Sequence, residues 1–407
     1  MSDRSASRRC TSWSATTFQF AKRCDAWSSS PSSPFAAACG CRRSEEATPP
    51  LPRLATVRRW LLGLYVASAA LVTVQQAVVK QSNNFTIFRS ATVNLLAGRD
   101  LYAGHPEQHF DFYKYSPTFA LLFAPLAYLP FALAFLCWSL LNALLLWYAL
   151  DRLLPGRRAT LALALVYLEV LFAMQYGQSN SLVTALMILA FVACERARQF
   201  EAATEIGLGA AAALATLPLL VVPARELMAQ YRSWRAIEAA DALNRGYSMM
   251  QYLYMWLGAD WPNWPVQLAG TALLLLPLGL GRTRWGDAEF RRLFLCSLLV
   301  YVVLFNHQSE RATFIIAYTG IVIWYVSFGP RRLRTAIMAL TLFVMVLHDV
   351  DIVPRWVKAE ILIPWRVKGI PCLVAWLAMQ RELLVTALRS EPAGSPRAGS
   401  APAQPAL

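Results

Sequence analysis

The sequence predicts an all-α polytopic membrane protein with about ten transmembrane helices. Hydrophobic residues make up 57% of the 407 residues and charged residues only 15%, whereas soluble domains carry about 25% charged residues. The apolar residues also form long uncharged runs, such as Leu61–Val79 and Phe131–Leu150, and a run of about 20 apolar residues spans the hydrocarbon core of a bilayer. Lysines and arginines lie in short clusters between these runs, as signals of membrane topology do.

Ten apolar runs predict the spanning helices. They lie at 59–79, 131–150, 159–176, 179–195, 206–222, 265–281, 291–306, 311–328, 333–348 and 370–388. A further apolar segment, Ser116–Leu129, contains two prolines and is followed by Pro130. As a helix it would reach only about 21 Å, less than the roughly 30 Å of the hydrocarbon core. We therefore expect it to be interfacial or re-entrant, with its backbone covered by protein.

The arginine clusters indicate which helix ends face the cytoplasm. If Ser116–Leu129 does not cross, all of the clusters fall on one side, and the positive-inside rule makes that side the cytoplasmic face of the cell (plasma) membrane. The clusters are Arg53/Arg58/Arg59, Arg152/Arg157/Arg158, Arg196/Arg198, Arg282/Arg284/Arg291/Arg292 and Arg331/Arg332/Arg334. Function most often lies in loops held by a rigid scaffold. We expect it in the extracytoplasmic loops, which are Lys80–Tyr115, Gln175–Asn180, Pro223–Pro262, Asn306–Glu310 and Asp349–Pro364.

Two tails flank the transmembrane domain, which we place at 53–388. Residues 1–52 are rich in serine and arginine without sustained periodicity, which predicts a disordered segment. Their composition is also that of an organelle transit peptide, and a wrongly assigned start, with the true one near Ala55, is the alternative. Residues 389–407 are rich in proline, alanine, glycine and serine and are predicted to form a second disordered tail.

Charge and cysteine usage exclude two kinds of ligand. The net charge of +14 would suit a nucleic-acid partner, but the basic residues are dispersed between apolar runs, so we exclude nucleic acid. Cys39 and Cys41 are separated by a single residue, which is not the usual spacing of zinc ligands. The sequence therefore predicts no metal site and no cofactor, and it makes the lipid bilayer a partner.

The first outer loop is the richest in groups that can carry chemistry. Asp100, Glu107 and Asp111 are carboxylates close to a membrane face, and such a carboxylate can act as general base on a sugar hydroxyl. Arg89 and Lys114 provide charge for a phosphate group. The alternative is a solvated loop whose aromatic residues anchor it at the membrane interface.

Two further junctions carry polar residues between spanning helices. Gln178 and Asn180 are amides that can bind sugar hydroxyls, although they can equally cap the following helix. His307, Gln308 and Arg311 lie between two later spans, where ionisable groups are functional candidates. His307 can donate to a phosphate oxygen of the donor, with Arg311 beside it; the alternative is a plain turn with a solvated histidine. We expect these groups to converge around one cavity, with the carboxylates of the first loop at its rim.

Several short motifs, in this order and spacing, resemble those of glycosyltransferase family 87. The matching pieces are Asn84-Phe-Thr-Ile-Phe88, Leu96-Ala-Gly-Arg-Asp-Leu-Tyr102, Lys114-Tyr-Ser-Pro117 with Ala124-Pro-Leu-Ala-Tyr-Leu-Pro130, Tyr176-Gly-Gln-Ser-Asn180, and Phe305-Asn-His-Gln-Ser-Glu-Arg-Ala-Thr-Phe314. The resemblance extends over about 53–382. It implies a GT-C-like helical bundle whose first extracytoplasmic loop is functional. It also implies transfer of a mannose-like hexose from a polyprenyl-phosphate-linked sugar to a lipid or glycan acceptor at the outer face.

The sequence departs from that family in two places. Members commonly carry an aspartate, the expected catalytic base, where this chain has Asn84, and a carboxamide does not accept a proton at neutral pH. Asn84 is then a candidate for sugar or acceptor binding, together with Gln178, Asn180 and Gln308. Either Asp100, Glu107 or Asp111 is the base, or this branch works differently, or the chain is inactive. The second departure is at 215–218, where the family's lysine and roughly one further spanning helix are missing.

A membrane transporter or flippase-like protein is the competing interpretation, beside a catalytically impaired family member. Transporters often contain internal repeats and charged residues near the middle of the membrane. This sequence shows no convincing repeat, and its ionisable residues gather toward one face. The pattern therefore favours a sugar transferase.

Overall fold

The computed structural model describes residues 52–197, 203–241, 244–349 and 353–389. The tails predicted at 1–52 and 389–407 lie outside the described residues, apart from Pro52 and Arg389. The described part of the chain is built from helices and contains no strand.

Helices occupy all ten of the predicted spans. We label them in chain order together with the other helices: α1 (Pro52–Val74), α5 (Phe131–Leu153), α6 (Gly156–Tyr176), α7 (Asn180–Ala197), α8 (Ala203–Thr216), α11 (Asn263–Leu280), α12 (Ala288–Leu304), α13 (Phe314–Phe328), α14 (Arg332–Asp349) and α16 (Ile370–Leu388). Six segments of the described residues are long and apolar enough to cross a membrane: Leu54–Ala77, Phe131–Leu153, Gly156–Tyr176, Asn263–Leu280, Arg311–Phe328 and Val367–Leu388. The predicted all-α polytopic membrane fold is confirmed.

The two longest predicted outer loops contain helices of their own. They are α2 (Asn83–Leu96), α9 (Ala224–Asp241) and α10 (Met249–Leu257), and the short α15 (Arg355–Val357) lies in the last outer segment. Helices α2, α9 and α10 are 14, 18 and 9 residues long, and charged residues such as Arg89, Glu226 and Arg232 interrupt the first two. A search for uncharged apolar runs of about 20 residues therefore does not detect them.

Segment Ser116–Leu129 folds into two short helices, α3 (Pro117–Leu122) and α4 (Ala124–Ala127), which meet at Phe123. The hydroxyl of Ser116 accepts a bond from the Phe119 amide and caps α3. The hydroxyl of Thr118 donates to the carbonyl of Leu214 in α8 at 2.6 Å. The segment packs against α2 and α8, so neighbouring protein covers its broken backbone, as a re-entrant segment requires.

Helix α13 lies at the centre of the bundle. Most of its side chains are buried, from Phe314 to Val326, and it packs against α6, α7, α12 and α14. Its sequence is apolar on every face, and a helix of that kind is stable only when it is surrounded. The helices that pack around α13 carry the turns that form the site described next.

Candidate functional site

Two adjoining cavities open at the bundle end where α6 ends and α13 begins. The first has a volume of about 370 Å³, and its walls include Asn84, Asp111, Lys114, Tyr115, Gln178, Asn180, Trp234, Asp241, Asn306 and Gln308. The second, of about 390 Å³, is lined among others by Tyr176, Tyr247, Arg311, Ile363 and Arg366. Six residues line both cavities: Asn84, Gln178, Asn244, Gly246, Ser309 and Glu310. The two cavities are therefore parts of one concave surface.

The turn after α6 positions the first polar group of this surface. Gly177 has φ +65° and ends the helix in the left-handed conformation, and its carbonyl accepts a bond from the indole of Trp138 at 3.0 Å. The chain then places Gln178 so that its Nε2 donates to Glu310 Oε2 at 3.0 Å. Asn180 Nδ2 donates to Gln178 Oε1 at 2.6 Å. The amides and the Glu310 carboxylate thus form one chain of hydrogen bonds.

The turn at 306–310 is held by backbone from a distant segment. The Tyr247 amide donates to the Ser309 carbonyl at 2.9 Å. Gly246 (φ +50°) lies so close to the carbonyls of His307 and Ser309 that a Cβ atom at this position would collide with them. Glu310 is also the N-cap of the following helical turn, with its amide bonded to Thr313 Oγ1 at 3.1 Å. The side chain of Glu310 is therefore fixed at the border of the two cavities.

Asp241 joins two of the predicted site residues in the first cavity. Its Oδ2 accepts a hydrogen bond from Lys114 Nζ at 3.2 Å and another from Gln308 Nε2 at 3.1 Å. Asp241 ends helix α9, which was predicted as loop, so no sequence motif pointed to it. The contact ties the first outer loop to the 306–310 turn across the cavity.

The second cavity carries two guanidinium groups. Arg311 lies 5.9 Å from the ring of Tyr176, and Arg366 lies 4.9 Å from the ring of Tyr247. Arg366 has φ +51°, an uncommon conformation for a residue other than glycine, and its carbonyl accepts a bond from Tyr252 Oη at 2.5 Å. Two guanidinium groups facing one cavity provide fork-shaped donors for a phosphate or carboxylate. Arg366 has no motif around it, and the sequence analysis missed it.

Four of the predicted site residues lie outside both cavities. Arg89 donates to the carbonyls of Ala127 and Leu129, each at 2.9 Å, and so holds the end of α4; burial lowers the pKa of its guanidinium. His307 lines neither cavity, and its Nε2 is buried without a hydrogen-bond partner among the described residues.

Asp100 and Glu107 are the other two predicted site residues that lie outside both cavities. Asp100 accepts bonds from the Tyr102 amide at 3.0 Å and from Ser233 Oγ at 2.9 Å, which docks α9 on the first loop. Glu107 is exposed, and its carboxylate lies 3.5 Å from His105 Nδ1.

Three carboxylates therefore face the first cavity. They belong to Asp111, Asp241 and Glu310. Asp111 is exposed and accepts a bond from the Phe112 amide at 2.7 Å, whereas Asp241 is already bonded to a lysine. Asn84 donates its amide to the Tyr176 carbonyl at 2.9 Å. An exposed carboxylate beside an oxyanion site can accept a proton from a hydroxyl that attacks a phosphate-activated carbon.

No cluster in the described part of the chain combines three or more histidine, cysteine, aspartate or glutamate side chains in a way that would hold a metal ion.

Tyr115 lines the first cavity, and its Oη receives a bond from Ser179 Oγ at 3.3 Å. Burial raises the pKa of the Tyr115 phenol. Tyr115 therefore keeps its proton at neutral pH.

Comparison with known proteins gives one match. The family model of glycosyltransferase family 87 matches residues 112–350. This range includes Lys114, Gln178, Asp241, Glu310 and Arg311, and it ends before Arg366. No curated protein and no protein of solved structure matches the chain.

Proposed function

The chain belongs to glycosyltransferase family 87, a family of membrane glycosyltransferases, and from this we propose that it transfers a mannose-like hexose from a polyprenyl-phosphate-linked sugar. The acceptor is a lipid or a glycan at the extracytoplasmic face of the plasma membrane. The arginine clusters support this orientation, because they gather at the bundle end opposite the cavities.

The observation that carries the proposal is the pairing of two chemistries on one surface. The second cavity offers Arg311 and Arg366 to the phosphate of the donor. The first cavity offers the amides of Gln178, Asn180 and Gln308 to sugar hydroxyls. A donor that carries both a sugar and a phosphate matches these two surroundings.

In the proposed reaction an acceptor hydroxyl oxygen attacks the anomeric carbon of the donor sugar. The bond from that carbon to the phosphate oxygen breaks, and polyprenyl phosphate leaves with the electron pair. Arg311 and Arg366 hold the phosphate in the ground state and in the transition state alike. The hydroxyl proton passes to a carboxylate, and we assign this role to Asp111 or Glu310. Both face the cavity, and among the described residues it is Asp241, not these two, that pairs with a cation there. Asn84 holds a neighbouring sugar hydroxyl.

The direct test is a transfer assay with the purified full-length protein in liposomes. The donors are polyprenyl-phosphate-mannose, polyprenyl-phosphate-glucose and the nucleotide sugar GDP-mannose, each radiolabelled, with a membrane lipid extract as acceptor. We expect labelled product from a polyprenyl-phosphate sugar and none from the nucleotide sugar. Transfer from GDP-mannose alone would overturn the donor assignment.

Variants in the same assay test the assigned roles. We expect Asp111→Asn or Glu310→Gln to lower kcat by about a hundredfold, the usual scale for loss of a general base. Arg311→Gln should raise the donor KM more than it lowers kcat, if the guanidinium binds the phosphate equally in ground and transition states. Glu107→Gln is the matched control, because that carboxylate lies outside the cavities. Unchanged turnover in both carboxylate variants would refute the base assignment.

A further inference from the structure

A third cavity lies at the opposite end of the bundle, among the arginine clusters. Its volume is about 390 Å³. It is formed by the first turn of α12, the junction of α13 with α14, and the last turns of α16. The charged residues in its wall are Asp287, Glu289, Arg331, Arg334, Arg381, Glu382 and Arg389.

An ion pair between buried Arg334 and half-buried Glu382 forms the base of this cavity. Arg334 is 4% exposed and donates to both oxygens of Glu382, at 2.9 and 3.0 Å. Its other amino group donates to the carbonyls of Phe328 and Gly329. Glu382 also accepts a bond from the Trp324 indole at 2.9 Å. These two charges therefore satisfy each other and fix the positions of α14 and α16.

The other three arginines of the cavity are available for a ligand. Arg331, Arg381 and Arg389 are exposed, and no carboxylate of the described residues pairs with them. Of the two remaining acids, Asp287 caps α12 by accepting a bond from the Glu289 amide at 2.8 Å. The opening thus presents three guanidinium groups against two carboxylates.

An apolar groove continues from this cavity along the membrane-facing surface of α11 and α16. The groove has a volume of about 350 Å³ and shares Arg381 and Val385 with the cavity. Its other walls are Leu273, Leu276, Trp376, Leu377, Gln380, Leu384 and Leu388. From Leu377 to Leu388 the groove follows about 16 Å of helix, which is close to the thickness of one leaflet, half of the roughly 30 Å core.

We propose that this cavity and groove bind one anionic phospholipid of the leaflet at the arginine-rich end, with its phosphate headgroup on Arg331, Arg381 and Arg389 and an acyl chain in the groove. Basic pockets between transmembrane helices recognise anionic headgroups through charge and the fork geometry of arginine. The groove accommodates the apolar part of the same lipid, because its length fits a single acyl chain. The site lies at the opposite end from the proposed sugar-transfer cavities, so it is independent of the transferase assignment.

The test is lipid binding to the purified, delipidated full-length protein, measured by native mass spectrometry in detergent. The probes are phosphatidylglycerol, phosphatidylcholine and a polyprenyl phosphate. We expect phosphatidylglycerol to bind, and the double variant Arg331→Gln/Arg381→Gln to weaken it by at least about tenfold, because each arginine near a lipid phosphate contributes on the order of a threefold to tenfold change in affinity. Arg332→Gln/Arg282→Gln is the control, since both arginines are exposed at the same end but do not line the cavity.

A second variant tests the groove without changing charge. Val385→Trp places an indole between the headgroup cavity and the acyl groove, and we expect it to lower binding of phosphatidylglycerol while circular dichroism and monodisperse elution stay unchanged. Equal binding of phosphatidylcholine and phosphatidylglycerol, or equal binding by the parent and Arg331→Gln/Arg381→Gln, would overturn the proposal. Preferential binding of the polyprenyl phosphate would also overturn it and make the site one for the carrier lipid.

Discussion

Glu169 and Lys368 form a buried ion pair between α6 and the turn before α16. Lys368 Nζ lies 3.2 Å from Glu169 Oε2, and the two side chains are 1% and 3% exposed. Lys368 Nζ also lies 5.8 Å from the ring centre of Phe314 in the central helix. Arg366 of the second cavity is two residues away, so this pair anchors the segment that carries a proposed phosphate ligand. Loss of one member removes the opposite charge that the other faces inside the bundle.

Replacing Lys368 alone should therefore be costly. We expect Lys368→Met to lower the free energy of unfolding by about 3–5 kcal/mol, and Glu169→Gln/Lys368→Met to lower it by clearly less, because no buried charge remains. Asp151→Asn is the control, since Asp151 is exposed and a solvated pair such as Arg58–Asp151 contributes at most about 1 kcal/mol. Thermal unfolding in detergent measures all three. A Lys368→Met effect as small as that of Asp151→Asn would contradict this account.

The end of helix α6 is the element on which the proposed sugar site depends most. Gly177 closes the helix with φ +65°, and a Cβ atom there would lie 2.6 Å from Ser82 Oγ and 3.4 Å from the Phe135 ring. Gly258 ends α10 with the same φ of +65°, but its surroundings are open. The two glycines thus separate the cost of the backbone conformation from the cost of the close approach.

This difference predicts unequal effects of the same substitution. Gly177→Ala should destabilise the protein by about 1–3 kcal/mol more than Gly258→Ala, because only the former forces a side chain into packed neighbours. It should also reduce sugar transfer, since a shift of this turn moves Gln178 away from Glu310. Thermal unfolding and the transfer assay measure the two effects. Equal destabilisation by the two variants would show that the approach of Ser82 is unimportant.

The two ends of the helical bundle carry different sets of polar groups. One end carries the cavities with Asp111, Gln308 and Arg311, and the other carries the arginine-lined cavity and inter-helix ion pairs such as Arg291–Glu195. The positive-inside rule predicts that the arginine-rich end faces the cytoplasm.

Cysteine labelling tests this orientation. In a background with the native cysteines changed to alanine, we expect Gly104→Cys to react with a membrane-impermeant maleimide in intact cells, because Gly104 is exposed in the first outer loop. Gly286→Cys is exposed in the basic turn before α12 and should react only after permeabilisation. The reverse pattern would invert the topology and move the proposed reaction to the cytoplasmic face.

The helical class, the family and the positions of the helices could be predicted from the sequence, because each depends on residues close together in the chain. An apolar run has to match the thickness of a bilayer, and six segments of the described residues are long and apolar enough, against ten predicted spans. The sequence also identified Lys114, Gln178, Asn180, Gln308 and Arg311 as a group of candidates, since all lie at helix junctions. It missed the helices of the outer loops, because they are too short or too polar to form a long uncharged run.

Which candidates share a cavity depends on the tertiary structure. Asp241, Glu310 and Arg366 come from distant parts of the chain, and no local pattern shows that they face the residues predicted at the site. Conversely, Arg89 and Asp100 carry the expected charges but bond to backbone carbonyls and to helix α9. A charged residue in a loop looks the same in the sequence whether its side chain supports the fold or faces a ligand. The direction of its side chain depends on packing between segments far apart in sequence.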